Sequence, residues 1–99
     1  MKKIFLSEII ENVKELVLKN DIKVESIKNK ELNFKSKAEQ VDLFSQKCIM
    51  RITIFENGRM YIHVINIHTE ETLYFFDDYV NDEFSAENLI INAIETMSV

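Results

Sequence analysis

Apolar residues recur every three or four positions near both ends of the chain, which is the spacing of one helical face. Near the N-terminus this repeat predicts a helix over residues 5–19, with Ser7 as its N-cap. Near the C-terminus it predicts a helix over residues 86–97, capped by Ser85. The apolar stripes comprise Leu6, Ile9, Ile10, Val13, Leu16 and Val17 in the first helix, and Leu89, Ile90, Ala93, Ile94 and Met97 in the second.

Between the two helices, apolar and polar residues alternate, as they do in half-buried strands. This alternation predicts a first hairpin formed by residues 22–27 and 32–36. It predicts a second hairpin formed by residues 48–56 and 59–67, and a fifth strand at residues 72–76. Residues 38–46 fit a helical turn, a loop or an entering strand. The order predicts a single α+β domain over residues 1–99, in which an antiparallel meander of about four to five strands is flanked by the two helices.

The dipeptide Asn57-Gly58 sets the expected register of the second hairpin. Asn-Gly is the preferred pair of a two-residue type I′ turn, and such a turn places Phe55 opposite Met60. The face predicted to lie under the helices then contains Cys48, Met50, Ile52, Ile54, Tyr61, His63, Ile65 and Ile67. The opposite face would be unusually apolar, so we expect it to be covered by the first hairpin or residues 38–46, or to be a homodimer or partner surface formed by Ile49, Phe55, Met60, Ile62 and Val64.

Composition excludes several classes of site. One glycine and no proline are incompatible with glycine-rich phosphate-binding loops. The single cysteine, Cys48, excludes an internal disulfide and favours a reducing, cytoplasmic setting. No apolar run is long enough to span a membrane, and Glu8 and Glu11 interrupt the short N-terminal run, so it does not resemble a signal peptide.

Candidate chemistry is sparse. His63 and His68 are five positions apart near one strand, so they should point to opposite faces and cannot share a metal without a bulge. We expect Cys48 to be a buried structural residue. We therefore predict no catalytic, cofactor-binding or metal-binding residues, and a protein that binds rather than catalyses.

Charge is distributed unevenly. Residues 1–59 carry all twelve Lys and Arg and a net charge of +3, whereas residues 60–99 carry no Lys or Arg and a net charge of −8. The acidic segment, Glu70 to Glu87, is either a solvated loop whose charge is balanced by lysines of the first hairpin or a surface that binds a basic partner. The candidate partner-binding residues are Glu70, Glu71, Tyr74, Asp77, Asp78, Tyr79, Asp82 and Glu83.

The acidic segment from Glu70 to Glu87, together with the Asn57-Gly58 hairpin between two helices, resembles the layout of small phage-encoded anti-CRISPR proteins. That resemblance implies an inhibitor that masks a basic or regulatory surface of a nucleic-acid-binding protein or Cas effector in the host cytoplasm. Secretion chaperones and toxin immunity proteins share the outline, and either class would bind its partner through the apolar sheet face; a small regulatory protein is a further alternative. Direct binding of nucleic acid is not expected, because no dense basic stripe with interleaved aromatics is present.

Overall fold

Every strand in the described part of the chain joins one antiparallel sheet. The computed structural model describes residues 4–25, 27–32 and 36–97. The elements are α1 (Leu6–Asn12), α2 (Lys14–Lys19), β1 (Lys23–Val24), β2 (Lys28–Leu32), β3 (Ser36–Phe44), β4 (Cys48–Phe55), β5 (Arg59–Asn66), β6 (Thr72–Tyr79) and α3 (Glu83–Met97). β1 and β2 both pair with β3, and β3, β4, β5 and β6 follow in order across the sheet. The predicted α+β fold, an antiparallel meander between N-terminal and C-terminal helices, is confirmed.

The N-terminal helical segment is divided at Val13, whose backbone (φ −97°, ψ 8°) departs from helical geometry. The predicted apolar stripe is nevertheless buried on both sides of the division, at Leu6, Ile9 and Val17. Ser7 lies inside α1 and does not cap it; Phe5 occupies the N-cap position without a side-chain hydrogen bond. Within the described ranges, no helix is both long and apolar enough to cross a membrane.

The first hairpin differs from its prediction. Residues 28–31, expected as its turn, form most of β2, and residues 38–46 lie largely within the long strand β3. β2 pairs with β3 from Lys28 opposite Gln40 to Leu32 opposite Ser36. The polar residues 28–31 predict a turn, yet they form a strand. A strand at the edge of a sheet does not need alternating apolar residues, so the pattern alone does not reveal it. Ser26 and residues 33–35, which belong to the predicted strands, lie outside the described residues.

The second hairpin is offset by one residue from the predicted register. Its loop has three residues, 56–58, and closes when the Gly58 N–H donates to the Phe55 carbonyl at 3.0 Å. Gly58 has φ 91°, the conformation of the glycine that follows a type I turn in a three-residue hairpin loop. Ile54 therefore pairs with Met60, and Ile52 with Ile62. Since side chains alternate along a strand, this one-residue shift exchanges the two faces of β5.

The helices cover the face on which Met60, Ile62 and Val64 lie. All three are fully buried, together with Met50 and Ile52 of β4. The core is completed by residues of the helices and by Val13 between α1 and α2; the helical residues include Ile9, Val17, Ile90, Ala93 and Ile94. The prediction that Met60, Ile62 and Val64 form an exposed partner surface is therefore wrong, and so is the placement of Tyr61, His63, Ile65 and Ile67 in the core.

The last helix begins earlier than predicted. α3 starts at Glu83, and Asp82, rather than Ser85, supplies its cap: the Asp82 carboxylate accepts a hydrogen bond from the Ser85 N–H at 2.7 Å. That hydrogen bond lowers the pKa of Asp82 below its ordinary value.

Candidate functional site

One face of the sheet has no helix packed against it among the described residues. We call this surface the open sheet face. Pairing across the sheet places on it alternate residues of four adjacent strands. They are Gln40, Asp42 and Phe44 of β3, Ile49, Arg51, Thr53 and Phe55 of β4, Arg59, Tyr61, His63 and Ile65 of β5, and Phe75, Asp77 and Tyr79 of β6.

Three aromatic rings form a cluster on this face. Tyr61, His63 and Phe75 contact one another edge to face, with ring centroids 5.6 to 6.1 Å apart. The His63 ring is fixed on both sides, since Nδ1 lies 3.2 Å from the Tyr61 hydroxyl and Nε2 lies 3.0 Å from Thr72 Oγ1. Phe75 is the outermost ring and remains 57% exposed. The cluster thus holds an exposed aromatic side chain in a defined orientation.

Two arginines on the same face are held by neighbouring carboxylates. Arg51 makes a bidentate ion pair with Asp42, at 2.9 and 3.0 Å, and Arg59 donates to Asp77 at 2.8 Å. These hydrogen bonds raise the pKa of both guanidinium groups. The Arg59 guanidinium also lies over the Tyr79 ring, 5.7 Å from its centroid. Exposed ion pairs add little stability, so their main effect is to orient the arginines.

A polar pair lies beside the aromatic cluster, where Thr53 is opposite Tyr61 and Gln40 is opposite Thr53. Gln40 Nε2 donates to Thr53 Oγ1 at 2.9 Å, and Thr53 is only 4% exposed. Thr53 is thus buried on the open sheet face, whereas Phe75 and Tyr79 remain more than half exposed.

Comparison with known proteins decides the family. The chain matches the family model described as "Immunity protein TriTu" over residues 3–94, which is nearly its whole length. It belongs to the TriTu immunity protein family. No curated protein and no solved structure matches this chain significantly.

Membership of the TriTu immunity family corrects the predicted resemblance. The likeness to anti-CRISPR proteins rested on general layout, and the family match overturns it, along with the phage-inhibitor interpretation and the Cas effector as partner. The layout misleads because acidic, cofactor-free α+β domains occur in several classes of binding protein. Of the alternatives drawn from the sequence, the toxin-immunity interpretation agrees with the family.

The predicted apolar partner surface is divided by the structure. Ile49 and Phe55 lie on the open sheet face, half-buried, whereas Met60, Ile62 and Val64 are in the core. In their place β5 contributes Tyr61 and His63, which the predicted two-residue turn would place in the core. The alternation within β5 was a usable signal, because positions 60, 62 and 64 are all aliphatic or thioether side chains whereas positions 59, 61 and 63 are Arg, Tyr and His.

The predicted acidic residues do not share one face. Asp77 and Tyr79 lie on the open sheet face, whereas the register turns Tyr74 and Asp78 to the other face. Tyr74 is half-buried there, and desolvation raises the pKa of its hydroxyl. Glu70 and Glu71 are exposed before β6, and Asp82 and Glu83 follow it at the start of α3. Whether these residues bind a partner stays a prediction.

The described residues include no group of His, Cys, Asp and Glu side chains arranged to hold a metal ion. Cys48 is fully buried on the helix-covered side, whereas His63 lies on the open sheet face. Cys48 and His63 therefore lie on opposite sides of the sheet.

Proposed function

We propose that this chain is an immunity protein that neutralises a toxin by binding it stoichiometrically, and that the open sheet face is the contact surface. The family match over residues 3–94 is the observation that carries the proposal. The partner is then a toxin protein, and protection results from occupying the toxin's surface rather than from a chemical step.

The composition of the open sheet face supports its role. Solvent-facing surfaces of antiparallel sheets are usually polar, yet this one exposes Phe75 and Tyr79, 57% and 54% exposed, beside Arg51 and Arg59. Aromatic residues and arginine are the types most enriched in protein interfaces and among residues that dominate binding energy.

The side chains are also held in place before any partner arrives. Phe75 packs on Tyr61 and His63, and Arg59 is fixed between Asp77 and Tyr79. Binding then costs less side-chain entropy, because few rotamers remain to be ordered. A rigid surface of this kind suits tight binding to one partner.

The test is titration calorimetry with the purified toxin domain that this chain is proposed to neutralise. Replacing both Phe75 and Tyr79 with alanine should weaken binding by about 30-fold or more, the loss that corresponds to about 2 kcal/mol. The matched control is Leu18→Ala, which removes an apolar side chain that is 66% exposed on α2.

The control should bind within about twofold of the unmodified chain, because surface substitutions away from a contact site have small effects. Equal affinity of the double variant and the unmodified chain would exclude the open sheet face as the contact surface. Failure of the unmodified chain to bind the toxin domain would contradict the proposed function itself.

A further inference from the structure

The outer edge of β6 offers backbone groups to a partner. β6 ends the sheet and, within the described ranges, pairs only with β5. The Val80 N–H donates to the Gly58 carbonyl at 3.0 Å, and backbone groups alternate in direction along an antiparallel pair. The N–H and C=O groups of Phe75 and Asp77 therefore point away from β5. Tyr79 shares this orientation, and its N–H is satisfied by the Asp78 carboxylate at 2.7 Å.

The opposite edge of the sheet is protected in ways that β6 is not. There the outer strand is broken into β1 and β2, and its pairing with β3 shifts by one residue between Val24 and Lys28. Its sequence contains three lysines, at positions 23, 28 and 30. Breaks and lysines both prevent unwanted strand pairing. β6 contains no lysine or proline, and its pairing with β5 is regular from Tyr74 to Tyr79.

A groove lies beside this edge on its helical side. It has a volume of about 370 Å³ and is lined by residues of β6, of the segment that follows it and of α3, among them Phe76, Tyr79, Val80, Asn88, Leu89 and Asn92. A strand added to β6 would direct alternate side chains to the two sides of the sheet. One set would contact Phe75 and Tyr79 on the open sheet face, and the other would enter this groove. Strand addition gains specificity from such alternating contacts.

The charge along β6 indicates the chemistry of the added strand. Six acidic residues lie between positions 70 and 83, and no Lys or Arg occurs anywhere in residues 60–99. Arg59 offsets Asp77, and Asp82 caps the last helix, so Glu70, Glu71 and Asp78 contribute most to the negative potential along this edge. A basic segment would complement that potential.

A second copy of this chain fits the edge poorly. Antiparallel pairing of two β6 strands would bring Glu70 and Glu71 of each copy towards Asp77 and Asp78 of the other. Parallel pairing would align identical carboxylates. Like charges placed opposite each other destabilise strand pairs, so the occupant must come from a different protein.

We propose that the toxin adds an extended segment containing lysine or arginine to the outer edge of β6, forming a further strand of the sheet. This inference rests on the proposed function and specifies how the toxin is held. The added strand would lie alongside the open sheet face, so both surfaces would belong to one continuous interface.

The test compares two substitutions at one position by titration with the same toxin domain. Phe75→Ala and Phe75→Pro both remove the ring, but only proline removes the outward N–H and places its own ring where the added strand would pass. Phe75→Pro should bind at least about tenfold more weakly than Phe75→Ala, since a backbone hydrogen bond and the close approach of the strand are both lost. Circular dichroism and thermal unfolding check that both variants fold.

Amide hydrogen exchange on the unmodified complex provides a measurement that needs no variant. The Phe75 and Asp77 N–H groups should exchange quickly in the free chain and become protected when the toxin domain binds. The affinity should also fall steeply between about 50 and 500 mM salt. Over this range dissolved ions increasingly screen the attraction between the acidic residues of this edge and a basic segment.

Three results would overturn strand addition. The first is equal affinity of the proline and alanine variants in a toxin complex, and the second is continued fast exchange at Phe75 and Asp77 in that complex. The third is protection of the same amides in the free chain that grows with its own concentration, which would assign the edge to a second copy. The first two leave the proposed function intact, whereas absence of any toxin binding would refute both.

Discussion

Replacing Ile62 with alanine tests the register on which the open sheet face depends. Ile62 is fully buried beneath the helices, so the substitution removes apolar contacts and leaves a cavity. Such replacements cost about 2–5 kcal/mol. A domain of this size has a total stability of about 5–15 kcal/mol, so the variant should fold but with a clearly lower free energy of unfolding.

Ile67→Ala is the matched control, because it removes the same atoms from a side chain that is 49% exposed. Because the Ile67 side chain is already half-exposed, the substitution loses only about half of its transfer free energy and leaves no closed cavity. The expected cost is therefore about 1 kcal/mol or less. A two-residue turn at Asn57-Gly58 would reverse the two positions, placing Ile67 in the core and Ile62 outside.

Urea unfolding followed by circular dichroism measures both variants. The expected result is a loss for Ile62→Ala at least about 1 kcal/mol larger than for Ile67→Ala, with unchanged dependence on urea concentration. A larger loss for Ile67→Ala would refute the three-residue loop, and with it the assignment of Tyr61 and His63 to the open sheet face.

Three further predictions concern single residues. Gly58→Ala should destabilise the chain by about 1–2 kcal/mol, because alanine is strained at φ 91°, and Gly58→Asn should cost less in the same urea assay; equal losses would argue against strain. Asp82→Ala should lower the melting temperature at neutral pH. Because the folded state depresses the pKa of Asp82, this difference from the unmodified chain should be full above about pH 4, the ordinary carboxyl pKa, and disappear as the pH falls through the folded pKa; a difference that persists in acid would point to another cause. The Cys48 thiol is fully buried, so a thiol-specific dye should label it only at the rate of unfolding, and rapid labelling of the native chain would contradict its burial.

Local pattern was sufficient for most of the architecture. The helical repeats located both helical segments, and β-branched runs located the second hairpin, because each signal depends on residues close in sequence. The division of the first helical segment at Val13 leaves its buried stripe intact, which explains why the repeat does not reveal it. β3 was ambiguous because its segment mixes apolar residues with Glu39, Gln40 and Asp42 on a strand whose two faces are both partly covered.

The position of the open sheet face was harder to predict, because it depends on a single residue in one loop. Asn57-Gly58 occurs in both two-residue and three-residue loops, and the choice between them inverts β5. The two registers differ in how they distribute polar residues between the faces. The observed register places Arg51, Thr53, Arg59 and His63 together on one face. No local pattern shows that Phe75 packs on Tyr61 and His63, since that contact joins strands separated by a turn.

The most direct test of the central claim is growth of cells that express the toxin this chain is proposed to neutralise. Co-expression of the unmodified chain or of Leu18→Ala should restore growth, whereas the Phe75 and Tyr79 double alanine variant, expressed at the same level, should protect poorly. Growth arrest despite abundant unmodified chain would contradict an immunity function. Full protection by the double variant would show that the toxin is held by some surface other than the open sheet face.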